Sequence, residues 1–291
     1  MTRDMIGDSS YWDGRVFAEI KSIANSLERL KVPAENSQYE PQYLFNLTEK
    51  YFRIMLLKYS RGDEVDSLME YFSGLLESWE RSNEESVKFC RENGVERCRD
   101  WIFELCNLNH YNWCFRLVGL ALALNINDKD WKRLLNLISG EGEDVLLDRI
   151  IASREHQRPI GMNLLHEKPY SRLLKCIDSS SELQPHLLKN FVENWYRELK
   201  RPSPNNRKSP PDEPYWYVFG DPEKNPLSMG SYFGRWCIEA VAAVKAFDLD
   251  DYLCLGHEHY PGDLLRPLGP STHPKREDPK KNWFAKFFSQ R

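Results

Sequence analysis

The stretch Tyr232-Phe233-Gly234-Arg235-Trp236-Cys237-Ile238-Glu239-Ala240, followed by His259-Tyr260-Pro261-Gly262-Asp263-Leu264-Leu265, decides the reading of this chain. Phe233, Trp236, Cys237, Ala240, Val241, Val244 and Phe247 recur at helical spacing. That spacing puts all seven on one helix face, with Glu239 and Lys245 off the stripe. An acidic turn comes next, then a short helix started by Pro261. Asp263 falls near its N-terminus, where a carboxylate meets free N–H groups.

Working outward, helical patterns dominate. Val16 to Leu30 predicts a first helix, ended before Pro33, and Leu44 to Met55 a second, begun near Pro41. Val65, Leu68, Met69, Phe72, Leu75, Leu76 and Trp79 predict one continuous third helix. Two more are expected over roughly Val95–Asn107 and His110–Leu124. Asn127 or Asp128 then serves as an N-cap. Trp131, Leu134, Leu135 and Ile138 form one arm of a hairpin that turns at Gly140-Glu141-Gly142 and returns through Val145 to Ile151. Tyr170–Ile177 and Glu182–Leu199 complete the series. The segment Lys200 to Met229 holds seven of the 17 prolines. Proline removes a backbone donor and fixes φ, so no helix is expected to run through it. The fold class is all-α with two helical domains, residues 1–126 and 127–270, and a basic amphipathic tail, 271–291. The tail has six Lys/Arg against two acidic residues from His273 on, with Trp283, Phe284, Phe287 and Phe288 spaced for one face.

Beyond the helical pattern, the signature stretch resembles the C-terminal domain of the PoNi-type polymorphic nuclease immunity proteins. The family pattern is a Gly-x-Trp-x-x-Glu-Ala helix, a short acidic loop, then Tyr-Pro-x-Asp-Leu. Gly234, Trp236, Glu239, Ala240, Asp250, Asp251, Tyr260, Pro261, Asp263 and Leu264 match it. Arg235 departs, because an aromatic residue is usual there, and so does the His257-Glu258-His259 insert. Tyr215-Trp216-Tyr217 is similar to a family motif preceding the Trp236 segment. The resemblance implies a bacterial protein of the cytoplasm that binds and neutralises a cognate nuclease toxin of the kind delivered by type VI secretion. It implies stoichiometric binding and not catalysis, with no cofactor.

Composition is consistent with that. A net charge of −4 supplies no basic field, so direct nucleic-acid binding is not expected. The most apolar run, Trp113 to Leu124, has 12 residues and is interrupted by Arg116, whereas a membrane span needs roughly 20. No membrane partner is expected. Cys90, Cys98, Cys106 and Cys114 recur every eight residues. Eight residues of helix rise about 12 Å, too far for one zinc with bonds of about 2.3 Å. They are expected as buried, reduced thiols. Oligomeric state stays open, with a homodimer among the options.

The partner surface is expected on the third helix. Asp63, Asp66, Glu70, Glu77, Glu80 and Glu84 centre about 140° from its apolar residues at 100° per residue. From Arg61 to Glu85 there are eight acidic and two basic residues, a stripe suited to a basic partner. An ordinary solvated face is the alternative. Tyr215, Trp216 and Tyr217 are expected as the aromatic anchor, or as residues that pin the loop to the domain. No nucleotide-binding or hydrolase motif is present. The enzymatic alternative is a metal-dependent hydrolase around His257, Glu258, His259 and Asp263. Another is a helical scaffold with no toxin partner. Asp144 and Asp148, one turn apart, are expected on a solvated face or in a first-turn dipole role.

Overall fold

A computed structural model describes residues 1–96, 103–202 and 213–275. Nine α-helices and several 3₁₀ turns account for the regular structure of these residues, and no strand occurs among them. The first three helices lie side by side. Helix α1 (Ser9–Arg29) is capped by Asp8, whose side chain accepts from the Tyr11 amide. Helix α2 (Glu40–Arg61) has Pro41 in its first turn and stops at Gly62. There φ is +102°, and a Cβ would lie 1.9 Å from the Met1 carbonyl oxygen, so the turn and the overlying N-terminus both require glycine. Helix α2 packs against α1 and against α3 (Phe72–Asn93).

The centre is α4 (Leu108–Ala123), which is buried almost all round. A helix apolar on every side belongs inside a core. It packs against α9 (Ile238–Phe247), also buried on every side from Ile238 to Val244. The two backbones approach closely because Gly119 faces α9. A Cβ at 119 would lie 2.7 Å from Ile238 Cγ2 and 3.1 Å from Ala242 Cβ. Around this pair stand α5 (Asp128–Ile138), α6 (Val145–Ala152), α7 (Glu167–Ile177) and α8 (Gln184–Glu198). Asn127 caps α5 through the Asp130 amide. One contiguous hydrophobic core runs from Trp12 to Leu264 and includes side chains from α1 through α9.

Four expectations change. The residues from Ser231 to Cys237 have no regular secondary structure, and α9 begins only at Ile238. Phe233, Trp236 and Cys237 are buried, but not on a helix. Gly234 sits at φ +105°, and long-range bonds hold this irregular run: Trp236 Nε1 donates to Ser60 Oγ at 2.8 Å and the Cys237 amide to the His259 carbonyl at 2.8 Å. Tyr232, Phe233, Trp236 and Cys237 still seek the core, but without a helical backbone their helical spacing is coincidental. The third helix is also divided. Val65–Tyr71 is 3₁₀ and the α-helix starts at Phe72.

The helix expected over Val95–Asn107 is not present in the described parts, 95–96 and 103–107; residues 97–102 lie outside the described residues. The Asn107 side chain instead caps α4, accepting from the Asn109 and His110 amides. Finally, Cys90 is disulfide-bonded rather than reduced, while Cys106 is free but exposed. Cys114, Cys176, Cys237 and Cys254 are free and buried. The tail residues 276–291 and Cys98 lie outside the described residues.

Candidate partner-binding site

The six acidic residues do not form one helical face. Asp63 precedes the 3₁₀ turn, Asp66 and Glu70 lie on it, and Glu77, Glu80 and Glu84 lie on α3. Half of them are already paired. Asp63 forms a bidentate ion pair with Arg61, with both oxygens at 2.6 Å. Glu70 accepts from Lys58 Nζ at 3.0 Å, which holds its carboxyl below the usual range. Glu80 accepts a fork of bonds from Arg133 of α5, at 2.8 and 2.6 Å. Asp66, Glu77 and Glu84 are exposed and have no ion-pair partner among the described residues.

The aromatic loop lies elsewhere. Trp216 is 2% exposed; its Nε1 donates to Asn112 Oδ1 at 2.9 Å and its ring stacks on Trp195. It belongs to the core and offers no surface to a partner. Tyr215 and Tyr217 are half-buried, and their rings meet Phe233 and Tyr196 rather than α3. The loop is thus pinned to the domain, and the structure does not bring it together with the acidic residues of α3.

Behind Trp216 lies a polar hub around Glu239, a residue whose sequence position suggests a structural hydrogen-bond acceptor at the core edge but not its partners. Glu239 is fully buried, and its Oε1 accepts from Asn112 Nδ2 at 2.6 Å, Tyr170 OH at 3.0 Å and Trp195 Nε1 at 3.1 Å. These donors come from α4, α7 and α8, so one carboxylate ties three helices to α9. The guanidinium of Arg116, also fully buried, lies 4.6 Å from the Trp216 ring centre and 5.3 Å from that of Phe52. Burial pushes the Glu239 carboxyl up; Arg116 and the Trp195 and Tyr170 bonds oppose that. Every member of the hub is 2% exposed or less, so no substrate reaches it. Its role is to hold helices together. The signal available in the sequence was Asn112 and Arg116 within an otherwise apolar stretch.

The other carboxylates are structural as well. Asp144 and Asp148 are buried, not solvated. Asp144 caps α6 through the Leu146 and Leu147 amides and accepts from Tyr111 OH at 2.9 Å. Asp148 pairs with the buried Arg158 at 2.7 Å. Asp263 does not cap the turn after Pro261. It accepts from Arg3 Nε at 2.6 Å, Thr272 N at 2.6 Å, Thr272 Oγ1 at 2.7 Å and Ser271 Oγ at 2.8 Å. Burial raises its pKa, but these bonds outweigh it and bring the carboxyl below its ordinary value. Asp4 likewise accepts from Tyr232 OH at 2.5 Å, so the N-terminal segment is fastened to the C-terminal signature. His259 is buried against the Tyr196 and Trp195 rings, which with Arg235 nearby lowers its pKa to about 3. Among the described residues no three His, Cys, Asp or Glu side chains converge on a metal-sized site.

Several signature residues thus fix the scaffold: Gly234 the bend, Trp236 the bond to Ser60, Glu239 the hub, and Asp263 the N-terminal clamp. Asp251 accepts from Tyr260 OH and forms an ion pair with Arg266. Comparison with known families agrees. A model of the PoNe immunity protein (PoNi) N-terminal domain matches residues 3–136, and one of the PoNi C-terminal domain matches residues 142–264. The chain belongs to the PoNi family. It is therefore an immunity protein against a polymorphic nuclease toxin, an inhibitor and not an enzyme. A search of curated proteins returned no match. Among solved structures, this PoNi chain is similar to protein PA2201 from Pseudomonas aeruginosa, with a TM-score of 0.67 at 17% identity over 91% of this chain and 90% of that one. At that identity the likeness is one of fold. No helix among the described residues is long and apolar enough to cross a membrane.

Proposed function

We propose that this PoNi protein neutralises its cognate nuclease by occlusion, laying an acidic surface over the toxin's catalytic cleft or substrate groove. The observation that carries the proposal is the set of exposed, unpaired carboxylates Asp66, Glu77 and Glu84 along the 3₁₀ turn and α3. A nuclease attracts phosphates with Lys and Arg. A negative surface competes for that groove and speeds encounter through steering. Asp63, Glu70 and Glu80 contribute less, because Arg61, Lys58 and Arg133 already neutralise them. The complex is 1:1, and it operates in the cytoplasm of a cell that exchanges such toxins by type VI secretion.

The test is stopped-flow association of the purified protein with the catalytic domain of its cognate toxin, read at low and high salt. Replacing Asp66, Glu77 and Glu84 together with Lys is expected to slow association at least about 10-fold at low salt and to flatten its salt dependence. Nuclease inhibition at equimolar ratio should weaken in parallel. Association unchanged in rate and in salt dependence removes the acidic surface from the mechanism.

A further inference from the structure

Helix α1 has two faces, and only one is used by the fold. Trp12, Val16, Glu19 and Ile23 are buried. One position further round, Phe17, Ile20, Ala24 and Leu27 make a second apolar stripe, and it faces solvent. Phe17 is 70% exposed, Ile20 46% and Leu27 43%; Ala24 is exposed too. Their spacing is 3-4-3, that of a coiled-coil seam. A lone exposed apolar residue needs no explanation, but an ordered row on a single 21-residue helix does.

We propose that this stripe is the seam of a homodimer, in which α1 of two copies packs antiparallel about a two-fold axis at the level of Ser22. The stripe is complementary to itself in that register. Phe17 faces the partner's Leu27, Ile20 the partner's Ala24, and the same pairs repeat beyond the axis. All four layers are apolar. The 3-4 spacing continues outward by four residues at each end, to Asp13 on α1 and to Lys31 in the turn that follows Arg29. Those two are 70% and 67% exposed, and the register sets Asp13 against the partner's Lys31 at both ends of the seam. In the monomer, among the described residues, Asp13 pairs with Arg61 at 3.6 Å and Lys31 with Glu28 one turn away. A parallel pairing would instead place Asp13 against Asp13 and Lys31 against Lys31, so the end charges select the antiparallel arrangement.

Close approach is open at the flank. A Cβ on Gly14 would meet nothing within 4 Å. Lys21 nears its own counterpart by the axis, and its long stem lets the ammonium turn out to solvent. The contact is isologous, as two-fold dimers require. It uses α1 and not α3, so the acidic surface stays available to the toxin in each copy. A single helix pair buries less than a standard interface of about 1,600 Å², so the dimer is of the weak, concentration-dependent class.

Sedimentation velocity of the full chain from about 5 to 500 µM, a range that spans weak dimerisation, tests this. Wild type is expected to shift from monomer to dimer across it. Phe17→Glu, which changes an exposed side chain and should leave the thermal melt unaltered, is expected to weaken the dimer at least 30-fold, a rough figure for two buried carboxylates per seam. Asp13→Lys and Lys31→Asp are each expected to weaken it about 5-fold by turning two exposed pairs repulsive. The double charge swap is expected to restore it to within about 2-fold of wild type. A wild-type chain that stays monomeric over the whole range overturns the proposal. So does a dimer indifferent to Phe17→Glu, and failure of the swap to restore association overturns the register. A dimer that forms only when residues 276–291 are removed assigns the stripe to the tail. Lost toxin affinity in Phe17→Glu with unchanged self-association assigns it to the toxin. Either result also overturns the homodimer.

Discussion

Replacing Glu239 tests whether the hub or the apolar packing fixes α9 in the core. Its Oε1 takes three buried donors, from Asn112, Tyr170 and Trp195. Glu239→Ala leaves all three without that acceptor. Tyr170 OH then has only Asn112 Nδ2, itself a donor, while Trp195 Nε1 has nothing. Each orphaned donor costs about 1–3 kcal/mol, so two lost outright come to about 2–6 kcal/mol. The Arg116 guanidinium also loses the Glu239 counter-charge in the core, which adds destabilisation of the same order. Glu239→Gln keeps a carbonyl oxygen for the donors and removes only the charge. It should cost less than the alanine variant, by about 2 kcal/mol or more.

The pH dependence separates charge from shape. The Glu239 pKa is raised in the folded protein, chiefly by burial. The folded state therefore holds that proton at pH values where the unfolded state has released it, and stability falls as pH rises from the ordinary value of 4.5 through the folded pKa. The glutamine variant lacks this slope. Urea unfolding at several pH values measures both effects, and the wild-type-minus-Gln difference cancels the other carboxylates. If alanine costs under about 1 kcal/mol, or alanine and glutamine cost the same, the hub is not what holds α9.

Two further outcomes are expected. Gly119→Ala puts a methyl 2.7 Å from Ile238 Cγ2 and 3.0 Å from the Ile238 carbonyl oxygen, and should destabilise by about 1–3 kcal/mol, read as a lower melting temperature; an unchanged melt would mean that α4 and α9 separate freely. His273, buried beside Tyr59 and Trp236, is held neutral with its pKa lowered to about 4, mainly by burial. The unfolded chain protonates near 6.5, so this stabilisation is complete above 6.5 and is lost as pH falls to about 4, by roughly 3 kcal/mol in all. His273→Gln should flatten that part of the stability curve, and an identical curve would refute the assignment.

The sequence alone determined the class of the fold and most of its helices. Apolar residues at helical spacing, with Pro33, Pro41 and Asn127 as start and stop signals, define α1, α2, α5, α6, α7 and α8 because those are local properties of the chain. It also carried the family, since Gly234, Trp236, Glu239, Tyr260 and Asp263 are spaced as the scaffold needs them. What those residues do was settled only in three dimensions. Glu239 looked like a polar residue off an apolar stripe, yet its partners are 127, 69 and 44 positions away. Asp263 looked like a helix cap, yet it is bound by Arg3, 260 positions earlier. Arg61, Lys58 and Arg133 remove half of an acidic stripe that a helical wheel counts as whole. The run from Tyr232 to Cys237 shows the same limit from the other side. Periodicity reports which residues seek the core, but the backbone they adopt there follows from long-range hydrogen bonds and from the space left by neighbouring helices.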